Sequence, residues 1–162
     1  MDRQVDERGA LVIDLLDEEI DTVRRQISTR LAGDPGYRAV QQIPGVGPTL
    51  GAVFVAEIGD VHRFPTAGHL TSWAGLTPRH HESDTTVHRW HITKQGSTLV
   101  RWTAIEAVQV LPASTPILGT TKTRIGQRRG TNIGKVAAAR ELLTLVYHAL
   151  PDGEARALRQ AA

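Results

Sequence analysis

No stretch of this chain constrains its fold more than Ile43-Pro44-Gly45-Val46-Gly47-Pro48-Thr49-Leu50-Gly51-Ala52. Pro44 disfavours the α conformation at Ile43 and so ends any helix arriving there. Gly45 and Gly47 allow the positive φ angles that a tight interhelical turn needs. Val46 sits between them as an apolar plug. Pro48 suits the first turn of a new helix, where no amide donor is required, and Val53-Phe54-Val55-Ala56 carries that helix on. The pattern predicts a helix-hairpin-helix with unpaired amides around Gly45, Val46, Gly47 and Thr49, a place where a phosphate can bind. In a DNA-binding protein it would hold the sugar-phosphate backbone without reading bases. The same turn chemistry also serves a plain connection, so the stretch alone leaves both readings open.

Charge is distributed unevenly along the 162 residues. Positions 1–60 carry a net −5 and positions 61–162 a net +7. A basic two-thirds behind an acidic leader suits contact with a polyanion. The chain has no cysteine, which excludes disulfides and thiolate metal sites. No apolar run approaches the roughly 20 residues of a membrane span, and the acidic start is unlike a signal peptide. The expectation is a soluble, cytoplasmic protein without a membrane partner.

In the N-terminal segment, Ile13, Leu16, Ile20, Val23 and Ile27 recur at three-four spacing over residues 5–32. That is a short heptad seam, for another copy of the chain or for its own later helices. Gly33-Asp34-Pro35-Gly36 breaks it. A short helix over 37–42 enters the hairpin, and a second runs from Pro48 to Ile58. Thr66 is placed to cap a third, with Leu70 and Trp73 facing inward. Ser97 or Thr98 caps a strong helix over about 98–111, with Leu99, Trp102, Ile105 and Val108 on its buried face and Ala104 a further candidate for it. Pro116 opens a weak helix over 116–127, Arg128 to Asn132 forms a basic turn, and a last helix spans 133–150.

Residues 79–96 differ in character. They hold four histidines (His80, His81, His88, His91) and three cations (Arg79, Arg89, Lys94), without helical periodicity. The β-branched and aromatic run Thr85–Ile92 predicts a strand or hairpin arm. Exposed polar segments of this kind often carry function. The histidine spacing matches no strong zinc template, so no metal site is expected.

Several ordered motifs together carry a resemblance: Ile43-Pro44-Gly45-Val46-Gly47-Pro48, Glu57-Ile58-Gly59-Asp60, Arg63-Phe64-Pro65, Trp73-Ala74-Gly75-Leu76-Thr77-Pro78, Ile92-Thr93-Lys94-Gln95-Gly96-Ser97, and later Arg129-Gly130 and Lys135. Over about residues 5–152 the chain resembles the C-terminal serine domain of the Piv/MooV-type DEDD insertion-sequence transposases and recombinases. The resemblance implies that full-length members cut and rejoin DNA. It implies an Mg²⁺-binding RuvC-like DEDD domain elsewhere and a serine that becomes joined to DNA. Some members are guided by a structured RNA, so the implied partners are DNA and a structured guide RNA. The family serine follows the Gly-Leu-x-Pro motif by a few residues, which points to Ser83.

Chemically, a serine hydroxyl needs help from a base, a metal or nearby cations. Arg79, Arg89 and Lys94 are candidates to stabilise charge on the transferring phosphoryl group, and His80, His81 or His88 to move a proton. Glu82 and Asp84 flank the serine where the family has glycine after it, and they would repel a phosphate unless Mg²⁺ bridges them.

The expected fold class is therefore mainly α: a helical domain with a helix-hairpin-helix motif, a long N-terminal helix able to form a coiled coil, and a short β or loop arm around 79–96. The divisions are a helix and linker over 1–34, the transposase C-terminal domain over 35–152, and a frayed tail over 153–162. DNA contacts are expected from Gly45, Val46, Gly47, Thr49, Lys94, Ser97, Arg128 and Arg129. The domain alone is expected to bind DNA without cleaving it, to hold no cofactor, and to self-associate through its N-terminal helix. The alternative is a non-catalytic binding or oligomerisation module.

Overall fold

The computed structural model describes residues 2–83 and 86–159. Its elements in order are α1 (Asp2–Leu31), α2 (Pro35–Val40), α3 (Pro48–Ile58), a 3₁₀ turn (Val61–Arg63), α4 (Ala67–Trp73), β1 (Pro78–Ser83), β2 (Thr86–Ile92), α5 (Thr98–Gln109), α6 (Leu118–Arg129), α7 (Thr131–Asp152) and α8 (Arg156–Arg159). The chain is mainly helical, with one antiparallel two-stranded ribbon between α4 and α5.

The core is built around α7. Its buried residues Gly134, Ala138, Ala139, Leu142, Leu143, Leu145, Val146 and Ala149 recur at helical spacing along its length. Helices α2, α4, α5 and α6 all pack against it. Phe54 and Ile58 from α3, Leu70 from α4, and Val100 and Val108 from α5 complete the buried set.

Helix α5 buries only part of the face its periodicity suggests: Val108 and Ala104 lie inside, Leu99 and Trp102 do not. Val100, Thr103, Ala104, Ala107 and Val108 are buried, whereas Leu99 and Trp102 are 44% and 51% exposed. The helix offers two apolar stripes, and the one rich in alanine lies inside. Helix axes approach more closely where side chains are small, and α5 is packed on two sides, by α3 and by α7.

Helix α1 runs from Asp2, earlier than the expected start. Its seam finds no partner among the described residues: Leu11, Ile13, Leu16, Ile20 and Val23 are all exposed, and Ile27 is half-buried. Contact with the body is made against α3 and at Tyr37 of α2, whose hydroxyl lies 3.5 Å from Ser28 Oγ.

Other local expectations shift by a few residues. Ser97, not Thr98, caps α5, its Oγ accepting from the Val100 amide at 3.2 Å. Thr66 precedes α4 without capping it and bonds His69 Nδ1 instead. Helix α6 starts at Leu118, after Ile117 at φ +64, and takes in Arg128 and Arg129. The basic turn thus shrinks to Gly130 alone, at φ +101. Part of the tail docks, with Ala155 buried and Leu158 packed on the core. Among the described residues no helix is long and apolar enough to cross a membrane.

Candidate nucleic-acid interface

Three regions hold the residues singled out above. The first is the turn between α2 and α3. It descends through bonds from Gln42 N to Ala39 O, Ile43 N to Val40 O and Val46 N to Ile43 O. Ile43 and Val46 plug the core beneath it. Only one of its two glycines has the conformation expected. Gly45 lies at φ +87, and a Cβ there would stand 2.1 Å from the Ala107 carbonyl oxygen of α5. Gly47 lies at φ −83 as the N-cap of α3, with nothing within 4 Å of a Cβ. The Tyr37 hydroxyl donates to the Pro48 carbonyl at 3.2 Å, tying the start of α3 to α2.

The outer side of this turn is open. Gly45, Gly47, Pro48 and Thr49 are exposed. The amides of Gly45, Gly47, Thr49 and Leu50 meet no acceptor among the described residues. Beside them runs an open groove of about 970 Å³, lined by Pro48 and Thr49 and, from α1, by residues including Arg24, Arg25, Asp21 and Glu18. Its charge is mixed: Asp21 pairs with Arg24 at 3.1 Å.

The second region is the ribbon and its socket. Gly96, at φ +88, lies so close to the Trp73 carbonyl that a Cβ would be 1.7 Å from its oxygen. Thr93 N donates to Thr77 O, Lys94 N to Gly75 O, and Ser97 N to Trp73 O. Ser97 Oγ donates to Glu57 Oε2 at 3.0 Å. Arg101 donates to the Ala74 carbonyl at 2.9 Å. Arg63 donates to the Ile58 carbonyl while its guanidinium covers the rings of Phe64 and Trp73 at 4.5 and 4.7 Å. Most of the residues that carried the family resemblance thus meet here. They brace the root of the ribbon against α3, α4 and α5. Ser97, expected at the DNA, is a helix cap in this brace.

From the socket the two strands run out antiparallel: Pro78 opposite Ile92 and then, after a shift of register, His80 opposite Arg89, His81 opposite His88, Glu82 opposite Val87, and Ser83 opposite Thr86. The arm is therefore a hairpin of two paired strands, one of the two forms expected, with an irregularity between Pro78 and His80. Ser83 ends β1 at the far end of the ribbon. Asp84, the second flanking carboxylate, lies outside the described residues.

The candidate cations lie away from Ser83 rather than gathered around it. At roughly 3.3 Å per strand residue, Arg79 is about 13 Å from Ser83 along β1, Arg89 about 10 Å from Thr86 along β2, and Lys94 about 26 Å away at the root. Lys94 sits in the socket itself, at φ +54.

The third region is the α6–α7 hairpin. The two helices touch: a Cβ on Gly134 would lie 2.4 Å from the Lys122 carbonyl oxygen and 2.8 Å from Gly126 Cα. Lys122 Nζ donates to the carbonyls of Val108, Gln109 and Leu111 and so caps the C-terminus of α5. Lys135 Nζ donates to Gln109 Oε1 at 3.2 Å. Arg128 and Arg129 are exposed at the hairpin tip, and so is Arg124 one turn earlier, which the sequence reading did not single out. Its signal was available: no acidic residue occurs between Glu106 and Glu141.

With this geometry in place, comparison with known proteins is informative. Residues 37–120, just over half of the chain, match the family described as Transposase IS116/IS110/IS902. That span holds the turn, the socket, the ribbon and α5. A Streptomyces clavuligerus protein, the insertion element IS116 uncharacterized 44.8 kDa protein, is 36% identical over 54% of this chain and 22% of its own length. The transposase for insertion sequence element IS1111A of Coxiella burnetii is 27% identical over 85% of the chain and 39% of its own. The pilin gene-inverting protein of Moraxella bovis is 52% identical over 29% of the chain and 15% of its own. The chain belongs to the IS116/IS110/IS902 transposase family. It spans well under half the length of each of these relatives.

Proposed function

We propose that this chain acts in DNA transposition as the DNA-contacting, strand-exchange part of a transposase, with Ser83 as the nucleophile. The observation that carries the reading is the register of the ribbon. Ser83 is the last residue of β1, at the end farthest from a socket braced by Glu57, Arg63, Ser97 and Arg101. A hydroxyl delivered on an arm held at its root reaches a DNA backbone without loosening the core. Two relatives support the role by their names, one a transposase and one a gene-inverting protein.

The chemistry would be transesterification at phosphorus. Ser83 Oγ forms a bond to the phosphorus, the bond to a DNA hydroxyl breaks, and the serine proton leaves to a base. Rejoining reverses the step with a second DNA end. The exposed turn at Gly45, Gly47 and Thr49 would hold the backbone meanwhile through its unpaired amides, with Arg128 and Arg129 supplying positive charge; Val46, expected among these contacts, is buried and its amide donates to the Ile43 carbonyl. Mg²⁺, expected with the DEDD domain of the full-length family, does not suit the residues described here. Their carboxylates are dispersed, Asp34 and Asp60 each accepting from a nearby backbone amide and Glu57 from Ser97, and no step is assigned to a metal in this chain. A structured guide RNA is a further partner of this reading.

Trapping on a nicked duplex tests the assignment, using the chain joined to or mixed with a DEDD domain. A covalent adduct is expected from the parent and none from Ser83→Ala. An undiminished adduct in the alanine variant removes Ser83 from the role. A second reading, an assembly module, is favoured by one observation: the exposed apolar row of α1 from Leu11 to Val23. It is compatible with the first.

A further inference from the structure

We infer that the ribbon carries a proton-transfer pair, His81 and His88 at opposed positions on the two strands, on the same face as Ser83. This rests on the reading of Ser83 as the nucleophile and names the base which that reading needs. Successive residues of a strand alternate between the two faces of a sheet. From His80 opposite Arg89 to Ser83 opposite Thr86 the pairing runs without a break. One face of that stretch therefore holds His81, Ser83, Thr86 and His88, and the other holds His80, Glu82, Val87 and Arg89. His80, His81 and His88 are equal candidates in the sequence, and the alternation separates His80 from the other two. It also removes Arg89 from the face of Ser83, and with it Glu82, the carboxylate that would repel a phosphate there.

Spacing favours the pair over the cations. His81 is two residues before Ser83, about 7 Å along β1. His88 is diagonal to Ser83 across the strands, a separation of about 7–8 Å that aromatic and long side chains can bridge. Arg79 lies twice as far along the same strand, and Lys94 is at the root. No helix of the described residues packs on the ribbon beyond that root, so the groups on this face come from the two strands. Within the paired stretch the titratable and charged groups of the other face are His80, Glu82 and Arg89. Asp84 follows Ser83 and lies outside the described residues.

Histidine is the side chain that gains and loses a proton nearest neutral pH. A neutral imidazole accepts a proton and an imidazolium gives one, so a single group serves both halves of the exchange. In the forward step the bond from Ser83 Oγ to phosphorus forms and the bond from phosphorus to the departing DNA oxygen breaks. The serine proton passes to His81, and His81 then releases it to that oxygen. Rejoining runs the same transfers backwards with a second DNA end. His88 is a positioning residue. Which nitrogen of an imidazole is free to accept a proton is set by the hydrogen bond the other one makes, and the directly opposed position on β2 is the place to supply that bond.

The test is the rate of covalent adduct formation on a nicked DNA duplex, with the chain joined to a DEDD domain, from about pH 5 to about pH 9. Only the neutral imidazole accepts the serine proton, so the parent's rate should rise with pH across the histidine range and then level. His81→Ala should slow the reaction about 100-fold and abolish the rise, and added imidazole should restore part of the rate. His88→Ala should slow it less and keep the rise. His80→Ala, on the other face, should match the parent. An adduct that still forms on Ser83 with the parent's rate and pH profile in His81→Ala overturns the inference and leaves the nucleophile in place. So does a slower His81→Ala whose profile keeps the rise and which imidazole does not restore, since that is a structural loss. A loss in His80→Ala that His81→Ala lacks overturns the assignment of faces and the inference with it. A parent that forms no adduct, or forms it on a residue other than Ser83, overturns both readings.

Discussion

Residues that look alike in the sequence do different work. Gly45 and Gly47 were equivalent as letters, each read as a source of positive φ. Only Gly45 has it, with a carbonyl where its side chain would be. Gly45→Ala is expected to cost about 2–4 kcal/mol, a combination of left-handed strain and overpacking. Gly47→Ala, at φ −83 in open space, is expected to cost less than about 1 kcal/mol, the scale of an N-cap preference. Urea midpoints of the two variants decide; equal losses would mean the turn is seated otherwise. Ser97 makes the same point. It joins the α5 cap to Glu57, so Ser97→Ala should lower stability by about 1–2 kcal/mol and leave the salt slope of DNA binding unchanged. A reduced slope at full stability would return Ser97 to the interface.

Elements were legible where one signal dominated. The break at Pro44, the cap before α5 and the length of α7 follow from local chemistry, and they were readable from single residues. The buried face of α5 was not, because Leu99-Trp102-Ile105 and Val100-Ala104-Val108 are both apolar stripes. Which one lies inside depends on neighbours far along the chain, α3 and α7. The ribbon was half legible: β-branched residues marked β2, but Arg79-His80-His81-Glu82 has no strand pattern, and pairing with β2 supplies what propensity lacks. For α1 the spacing gave the seam but not its partner. With the row from Leu11 to Val23 exposed in the single chain, self-association follows as the expected outcome. Sedimentation equilibrium should find a dimer or higher species, reduced to monomer by Leu16→Asp with Ile20→Asp. A parent chain that stays monomeric at high concentration would leave the row to another partner.

Across the whole molecule, the candidate site was legible as motifs but not as geometry. Family resemblance named Glu57, Arg63 and Ser97 without revealing that they serve the arm's root, and Arg101, which joins them there, belonged to none of its motifs. Composition located positive charge in the C-terminal two-thirds without joining it to the end of α5. Nor could spacing in sequence tell that Lys94 sits about 26 Å from Ser83 along the ribbon. The account that results is a helical body with a braced arm, a turn with free amides and a basic helical hairpin, the last two sharing one helix end. Its central claim is that the arm's far end does the chemistry. The most direct measurement is peptide mapping by mass spectrometry of the protein–DNA adduct formed with a DEDD domain present. The account predicts a nucleotide on the peptide containing Ser83, attached at that serine. A nucleotide found on any other residue of this chain would contradict it.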